Sequence, residues 1–493
     1  MNAPFTAPAV HVKRTGLKLL PDNARVLLRP FAPRSDRQAA GIIARVAALP
    51  EAEVAALLDE VCASFSTRHR DLRAAFRRRF DQVAHLRLTD QPISEARRLL
   101  IGAYFTHEYS YEAAALFNPA IVPHPEAPQA SSGTLRCVLS LRATGEGHIS
   151  SIAFRTGVIG PGATLTLDPP LPFSDPAPPL TTTTYEKHLF ARKLNELGLD
   201  SEVTRQALAR VGEAFTLAQL EGALRNNFRN AGRRMEDDFA ARGMLLLAHS
   251  NYEIVFDPAC PLAGRVIFPN SPTEVNGIED ARFVRFTEQD GSTKYYATYT
   301  AYDGRIILPQ LLETEDFRSF RFITLNGPAV QNKGMALFPR PIRGLYAMLS
   351  RQDGENLYLM YSDHPHFWYE PRLIVRPTFP WEFIQVGNCG SPIETEKGWL
   401  VLSHGVGPMR RYCIGAFLLD LDDPSRVIGR MSRPLLEPAP DEREGYVPNV
   451  VYTCGGLVHE DHLILPYGIA DYGVAFATIP LTEIFRAMTR PGL

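Results

Sequence analysis

From about residue 245 onward the chain runs in short alternating stretches of Tyr, Val, Ile, Leu and Phe, broken every ten residues or so by Gly, Pro, Asp or Asn. Alternation with period two puts apolar side chains on one face of an extended segment, and turn residues at this spacing leave room for many short antiparallel strands. A sandwich, a barrel and a radial repeat all satisfy that pattern. A loose internal echo favours the radial repeat. "GLYAMLSR" ends at Arg351, "GWLVLSHG" carries His404 and "DHLILPYGIAD" closes at Asp471, each an alternating strand finished by a polar residue. "TLRCVLSLRATGEG" ends near Arg142, and "NGIEDARFVRF" supplies Asp280.

The separations 280 to 351, 351 to 404 and 404 to 471 are 71, 53 and 67 residues, about the length of a four-stranded blade with generous loops. Five stations predict a mainly β protein, a five-bladed β-propeller over 115–490. An N-terminal helical region covers 1–114 and a helical insertion about 184–243. In the first region Val54, Leu57, Leu58 and Val61 fall at helical spacing after Pro50, and Leu72, Phe76 and Phe80 continue at intervals of four. In the second, Thr216 and Gln219 have capping-box spacing before Leu220, Leu224 and Phe228. The Pro-rich passage "LDPPLPFSDPAPPL" precedes it.

The 52 Lys and Arg residues nearly balance 54 Asp and Glu, so no global field favours nucleic acid or an acidic membrane. The cluster Arg68, Arg70, Arg73, Arg77, Arg78 and Arg79 reads as a solvated helix face or a subunit contact, which makes the helical regions candidates for homo-oligomer contacts. Six scattered cysteines form no CxxC pair, His364 and His366 have no companion ligands, and P-loop, G-x-G-x-x-G and G-x-S-x-G motifs are absent. Neither a metal nor an organic cofactor is expected. The opening "MNAPFTAPAVHVKRTGLKLL" has no secretory pattern and no apolar run is long enough to span a bilayer, so the expectation is a cytoplasmic protein that does not cross a membrane.

Equivalent strand ends of a propeller converge on one pocket, which here would hold Asp280 and Asp471, Arg142 and Arg351, and His404. Acids mixed with arginine suit a polyhydroxylated or anionic ligand. Tyr299, Tyr302, Trp399 and Tyr467 could offer flat faces to sugar rings, although Trp399 reads better as core. Glycoside cleavage needs a proton donor, for which Asp280 is the candidate. Lys333 stands eighteen residues before Arg351 across an apparent hairpin, and such a cation pair would bind phosphate as the attacking group in place of water.

The segments "FNPAIV", "GIEDARF", "YYATYTAYDG", "NKGMALFPRPIRGLYAMLSR", "SPIETEKGWLVLSHGV", "GYVPNVVYTCGG" and "YGIADYGVAFAT" occur in one order between about 115 and 480. Together they resemble glycoside hydrolase family 130, the mannoside phosphorylases and related mannosidases, which fold as five-bladed propellers. The resemblance implies that Asp280 is the catalytic acid, protonating the glycosidic oxygen through a hydroxyl of the bound mannose. It implies that Asn118, Arg142 and Asp471 hold the glycone, with Glu279 and Arg282 of the same motif beside the substrate. Lys333, Arg351 and His404 would bind inorganic phosphate, a co-substrate, which attacks with inversion and releases a sugar 1-phosphate. Two positions depart from the family pattern. Ala281 replaces a proline, and Glu394 stands where some phosphorylases carry lysine. A carboxylate there would repel phosphate and could activate water. An inverting hydrolase with Glu394 as base is therefore the alternative, and a non-catalytic carbohydrate-binding propeller is a third reading.

Overall fold

The computed structural model describes residues 10–88, 90–126, 133–229, 234–305 and 307–489. The first nine residues, on which the expectation about export partly rests, and residue 490 lie outside them. The chain is mainly β, with helices gathered over 36–104 and 187–250; the stretch 1–114 also holds the strands Lys13–Leu19, Val26–Pro30 and Thr106–Ser110.

Five antiparallel meanders succeed one another. Unit one comprises Ala115–Pro123, Leu135–Thr144, Ser150–Gly160 and Thr164–Leu167. Unit two comprises Gly277–Thr287, Thr293–Tyr302, Ile307–Thr314 and Ser319–Thr324, with Tyr252–Val255 at its edge. Units three and four begin at Ala336–Leu337 and Gln385–Asn388. Unit five holds Val451–Tyr452, His462–Ile469 and Gly473–Pro480. Its fourth strand is Lys13–Leu19, paired antiparallel with Gly473–Pro480. The region read as helical thus contributes a strand to the opposite end of the chain, which spares that edge from open pairing.

The apolar faces of the meanders pack against their neighbours. Phe154 of unit one meets Phe283 and Phe317 of unit two edge-on or nearly so, Phe286 and Met348 join units two and three, and Leu349 and Trp399 join three and four. Leu402 and Leu465 join units four and five. Leu139 and Phe476 close five upon one. Each boundary between successive units therefore has its own core, and burial of such large side chains stabilises each by about 1.5–3 kcal/mol per residue.

The N-terminal helices Asp36–Ala47, Glu51–Phe65, Leu72–Val83 and Glu95–Tyr104 bury Val54, Leu58, Leu72, Phe76 and Phe80, as their spacing predicts. Ser35, Asp71 and Ser94 cap three of them with side-chain oxygens on backbone N–H groups. Much of the arginine cluster is paired within the chain: Arg68 to Glu108, Arg70 to Asp175 and Asp257, Arg73 to Asp59 and Arg77 to Glu95. The insertion extends to Ser250, further than the periodicity indicated, through the helix Phe239–Ser250. Its expected capping box forms, with Gln219 N–H donating to Thr216 Oγ1 (3.4 Å) and Thr216 N–H to Gln219 Oε1 (2.8 Å). Lys193 anchors it, its ammonium donating to Asn251 Oδ1 (2.8 Å) and Thr324 Oγ1 (3.1 Å) of unit two.

Candidate active site

The three charges of "NGIEDARF" sit where the first strand of unit two is broken by a bulge. Glu279 pairs with Thr300 and Arg282 with Thr298, so Asp280 and Ala281 together face Tyr299 alone. The first strand of unit one carries the same device, with Asn118 and Pro119 facing Leu141 between the pairs Phe117–Arg142 and Ala120–Ser140. A bulge bends its strand and re-aims a side chain. Here it turns Asn118 and Asp280 towards each other, and Asn118 Nδ2 donates to Asp280 Oδ1 at 2.8 Å. Both residues adopt left-handed backbone, with φ of 47° and 54°, as do Asn332, Arg410, Ala470 and Asp471 nearby. Such strain concentrates at functional sites.

Asp280 and Asn118 open into a cleft of about 260 Å³, lined also by Arg142, Asn332, Lys333, Arg351, Gln385, Arg410, Tyr412, Tyr452 and Asp471. All five units contribute to it and, among the described residues, neither helical region does. A larger groove of about 860 Å³ lies between the Pro-rich passage and Pro258–Arg265. Its Arg136 is already paired with Asp168 at 2.8 Å and none of the converging acids reaches it, so the chemistry belongs to the smaller cleft.

Arg142 Nη1 donates to Asp280 Oδ1 (3.3 Å) and Nη2 to Glu279 Oε1 (2.6 Å), while Glu279 Oε2 stands 3.6 Å from the Lys333 ammonium. Glu279 therefore bridges two cations. Arg351 Nε donates to the Lys333 carbonyl (2.9 Å), which ties the Arg351 side chain to the Lys333 backbone across the hairpin, and both residues line the cleft. Gly334, at φ +94°, makes room for this, since a Cβ there would collide with Arg351 Nε.

The structure separates the remaining candidates by position. His404 is fully buried behind Arg351, whose Nη1 lies 2.9 Å from His404 Nε2, with Gln385 Nε2 at 3.1 Å. Burial and the charges of Arg351 and Arg282 hold the imidazole well below its usual pKa, so a neutral Nε2 accepts from Arg351. His404 thus orients a cleft arginine and does not line the cleft. Arg282 is buried too, donating to the Cys389 carbonyl (2.8 Å), the Asp280 carbonyl (3.0 Å) and the Tyr452 hydroxyl (2.8 Å). It ties unit two to units four and five instead of presenting itself to a ligand. Glu394 is elsewhere, bidentate on Arg340 at 2.6 and 2.9 Å beside a different surface pocket. Tyr299, Trp399 and Tyr467 are buried, with Tyr299 on Glu274 and Tyr467 on Glu442, and Tyr302 is not among the cleft residues. The cleft's own aromatics, Tyr412 and Tyr452, follow no pattern that alternation could have marked.

Electrostatics push the two acids apart. Burial alone would raise Asp280, but the charges of Arg142, Arg282 and Lys333 and the Asn118 amide outweigh it and hold the carboxyl down at about 2. Asp471 goes the other way, raised to about 6 by burial and by the Asp280 charge. Paired acids with divergent affinities for a proton are characteristic of acid–base sites. In stability, the native pKa of Asp471 lies above its ordinary 3.8, so its contribution is full below that value and is lost as pH rises through about 6. Asp280 has the opposite sign, its contribution being lost as pH falls from 3.8 through about 2. Among the described residues no group of three or more His, Cys, Asp or Glu is arranged to hold a metal, and no helix is long and apolar enough to cross a membrane.

Comparison with known proteins bears on the chain's family. The sequence model of one family, described as beta-1,4-mannooligosaccharide phosphorylase, matches residues 260–490. The 1,2-beta-oligomannan phosphorylase of Thermoanaerobacter sp. (strain X514) is 37% identical over 219 residues, covering 43% of this chain and 71% of that one. The beta-1,2-mannobiose phosphorylase of Listeria innocua is 33% identical over 235 residues, or 45% of this chain and 63% of its own. A solved structure of the Listeria innocua beta-1,2-mannobiose phosphorylase with beta-1,2-mannobiose aligns over 76% of this chain and 92% of that one, at 23% identity and a TM-score of 0.45. The chain belongs to glycoside hydrolase family 130. Asn118 and Arg142 precede the matched stretch, and it is the fold that delivers them to Asp280.

Proposed function

We propose that this protein is an inverting phosphorylase of β-mannosides, working in the central cleft of a five-bladed β-propeller. The propeller reading is supported by the five successive cores, with unit five packed back on unit one. A cytoplasmic setting agrees with six free cysteines. The observation that carries the functional reading is that two cations, Lys333 and Arg351, linked through the Lys333 carbonyl, line the same cleft as Asp280.

A mannose unit sits against Asn118, Arg142, Asp471 and Asp280. Among the described residues Asn118 Oδ1 is buried without a partner, an orphaned acceptor that a sugar hydroxyl in the cleft would satisfy. Lys333 and Arg351 hold a phosphate, with His404 and Gly334 keeping Arg351 in place. A phosphate oxygen bonds to the anomeric carbon as the glycosidic C–O bond breaks on the opposite face, which inverts the centre. The reaction is proton-neutral overall, because the hydrogen that hydrogenphosphate loses ends on the leaving sugar's oxygen.

This balance accounts for an acid catalyst that is ionised in the empty site. A phosphate dianion beside Lys333 and Arg351 offsets the Lys333 share of the positive field that holds Asp280 near 2 and adds a negative charge nearby, so its proton affinity rises when the co-substrate arrives. Asp280 then passes the proton towards the leaving oxygen through a mannose hydroxyl. The placement of Glu394 in an ion pair away from the cleft removes the base on which the hydrolytic alternative was built.

The test is selective loss of phosphate affinity. Lys333→Ala and Arg351→Ala are each expected to raise the KM for phosphate by about tenfold or more, since a charge-assisted hydrogen bond contributes about 1.5–3 kcal/mol. An unchanged phosphate KM in both variants overturns the assignment. Asp471 supplies a second expectation. As an ionised acceptor for sugar hydroxyls it is competent only above its pKa of about 6, so kcat/KM for the mannoside rises through that pH. Asp471→Asn is expected to lack this limb, read from pH profiles at saturating phosphate.

A further inference from the structure

We propose that the cleft mouth carries an outer sugar subsite, built on His148 and Tyr446, that engages the third and later units of a β-mannan chain and makes longer oligosaccharides the better substrates. The proposal rests on the phosphorylase reading in one respect, the direction in which the leaving sugar exits.

Tyr446 is 69% exposed, and its ring lies 5.4 Å from that of His148 at 31°. An aromatic pair left in water forgoes burial of a large apolar area, and such faces at the mouth of a polar cleft are suited to the apolar face of a sugar ring. The pair is continuous with the site. Val447, next to Tyr446, lines the cleft, and its N–H donates to the Ala470 carbonyl at 2.9 Å, beside Asp471. His148 lies in the turn after the strand that carries Arg142, at φ 59°. Two further left-handed residues, Met409 and Arg410, form a hairpin tip on the rim, with Arg410 lining the cleft and Met409 90% exposed.

In-line displacement sets the direction. The attacking phosphate and the departing oxygen must lie on opposite faces of the anomeric carbon, and the phosphate cations come from unit three, backed by His404 of unit four. The leaving chain exits away from them, towards units five and one, where Tyr446 and His148 stand.

The test measures binding and turnover together. Affinities of β-1,2- and β-1,4-linked mannobiose, mannotriose and mannotetraose are determined calorimetrically without phosphate, and kcat/KM with it, for the wild type, Tyr446→Ala, Tyr446→Phe and His148→Ala. Trisaccharide is expected to bind about tenfold more tightly than disaccharide in the wild type, matching the ~1.4 kcal/mol of one good ring contact. Tyr446→Ala removes that ratio and Tyr446→Phe restores it. Equal affinity for two and three units in the wild type, or an unaltered ratio in Tyr446→Ala and His148→Ala, overturns the subsite. A length preference that depends on Tyr446 without phosphate-dependent cleavage would preserve the subsite and overturn the phosphorylase reading instead.

Discussion

Replacing Asp280 with asparagine is expected to lower kcat for phosphorolysis by about a thousandfold, the usual range for losing a positioned acid–base group, while the fold survives. Asparagine tolerates the left-handed backbone that position 280 requires, where φ is 54°, and it matches the side chain's size. It can still accept from Arg142, but it can neither take up nor deliver a proton. Mannoside binding to the variant, measured by calorimetry, stays within a few-fold of the wild type, so the defect appears in kcat. A variant that kept wild-type kcat would remove Asp280 from the chemistry. One that lost ligand binding and turnover equally would make it a binding residue.

The second large effect concerns stability and involves residues that do not line the cleft. Glu112 is fully buried and accepts from Arg25 Nε (3.0 Å) and from Arg155 Nη2 (2.7 and 2.9 Å). Arg25 further donates to the Tyr111 hydroxyl (2.8 Å) and Ser174 Oγ (3.0 Å), so this cluster ties the N-terminal region to unit one. Glu112→Ala strands two buried guanidinium groups and is expected to cost about 3–5 kcal/mol. Glu394→Ala breaks an ion pair whose side chains are 39% and 44% exposed, and is expected to cost less than about 1 kcal/mol. Denaturant unfolding of the two variants gives the contrast directly. Equal losses would show that the buried cluster is not the anchor.

Much of this architecture can be read from the amino-acid order because its signals are local. Val54, Leu58, Phe76 and Phe80 mark helix faces by spacing, and the alternation in "GWLVLSHGV" marks a strand whose every residue is buried. The strand Lys13–Leu19 escaped because "KRTGLKL" has little apolar alternation and its partner lies more than 450 residues away. Length of sequence between partners leaves no local trace.

The site divides along the same line. The positions carried by recognisable motifs, Asn118, Arg142, Asp280, Lys333, Arg351 and Asp471, do line one cleft. The internal echo, however, mixed two kinds of position. Arg142, Arg351, His404 and Asp471 come from the ends of second strands, whereas Asp280 sits in a first-strand bulge whose counterpart is Asn118. A bulge is a mismatch between two strands, invisible until both are paired. Burial is likewise a property of the assembled molecule: residue type alone does not distinguish His404 and Arg282, which lie behind the cleft against Arg351 and the Asp280 backbone, from residues that line it. Gln385, Arg410, Tyr412 and Tyr452 carry no local signal, because only folding brings them to the cleft.

The most direct measurement is turnover of β-1,2- and β-1,4-linked mannosides by the purified protein with and without inorganic phosphate, following mannose 1-phosphate and free mannose separately. Mannose 1-phosphate formed only when phosphate is present is the predicted result. Free mannose released at the same rate in either condition would contradict the account.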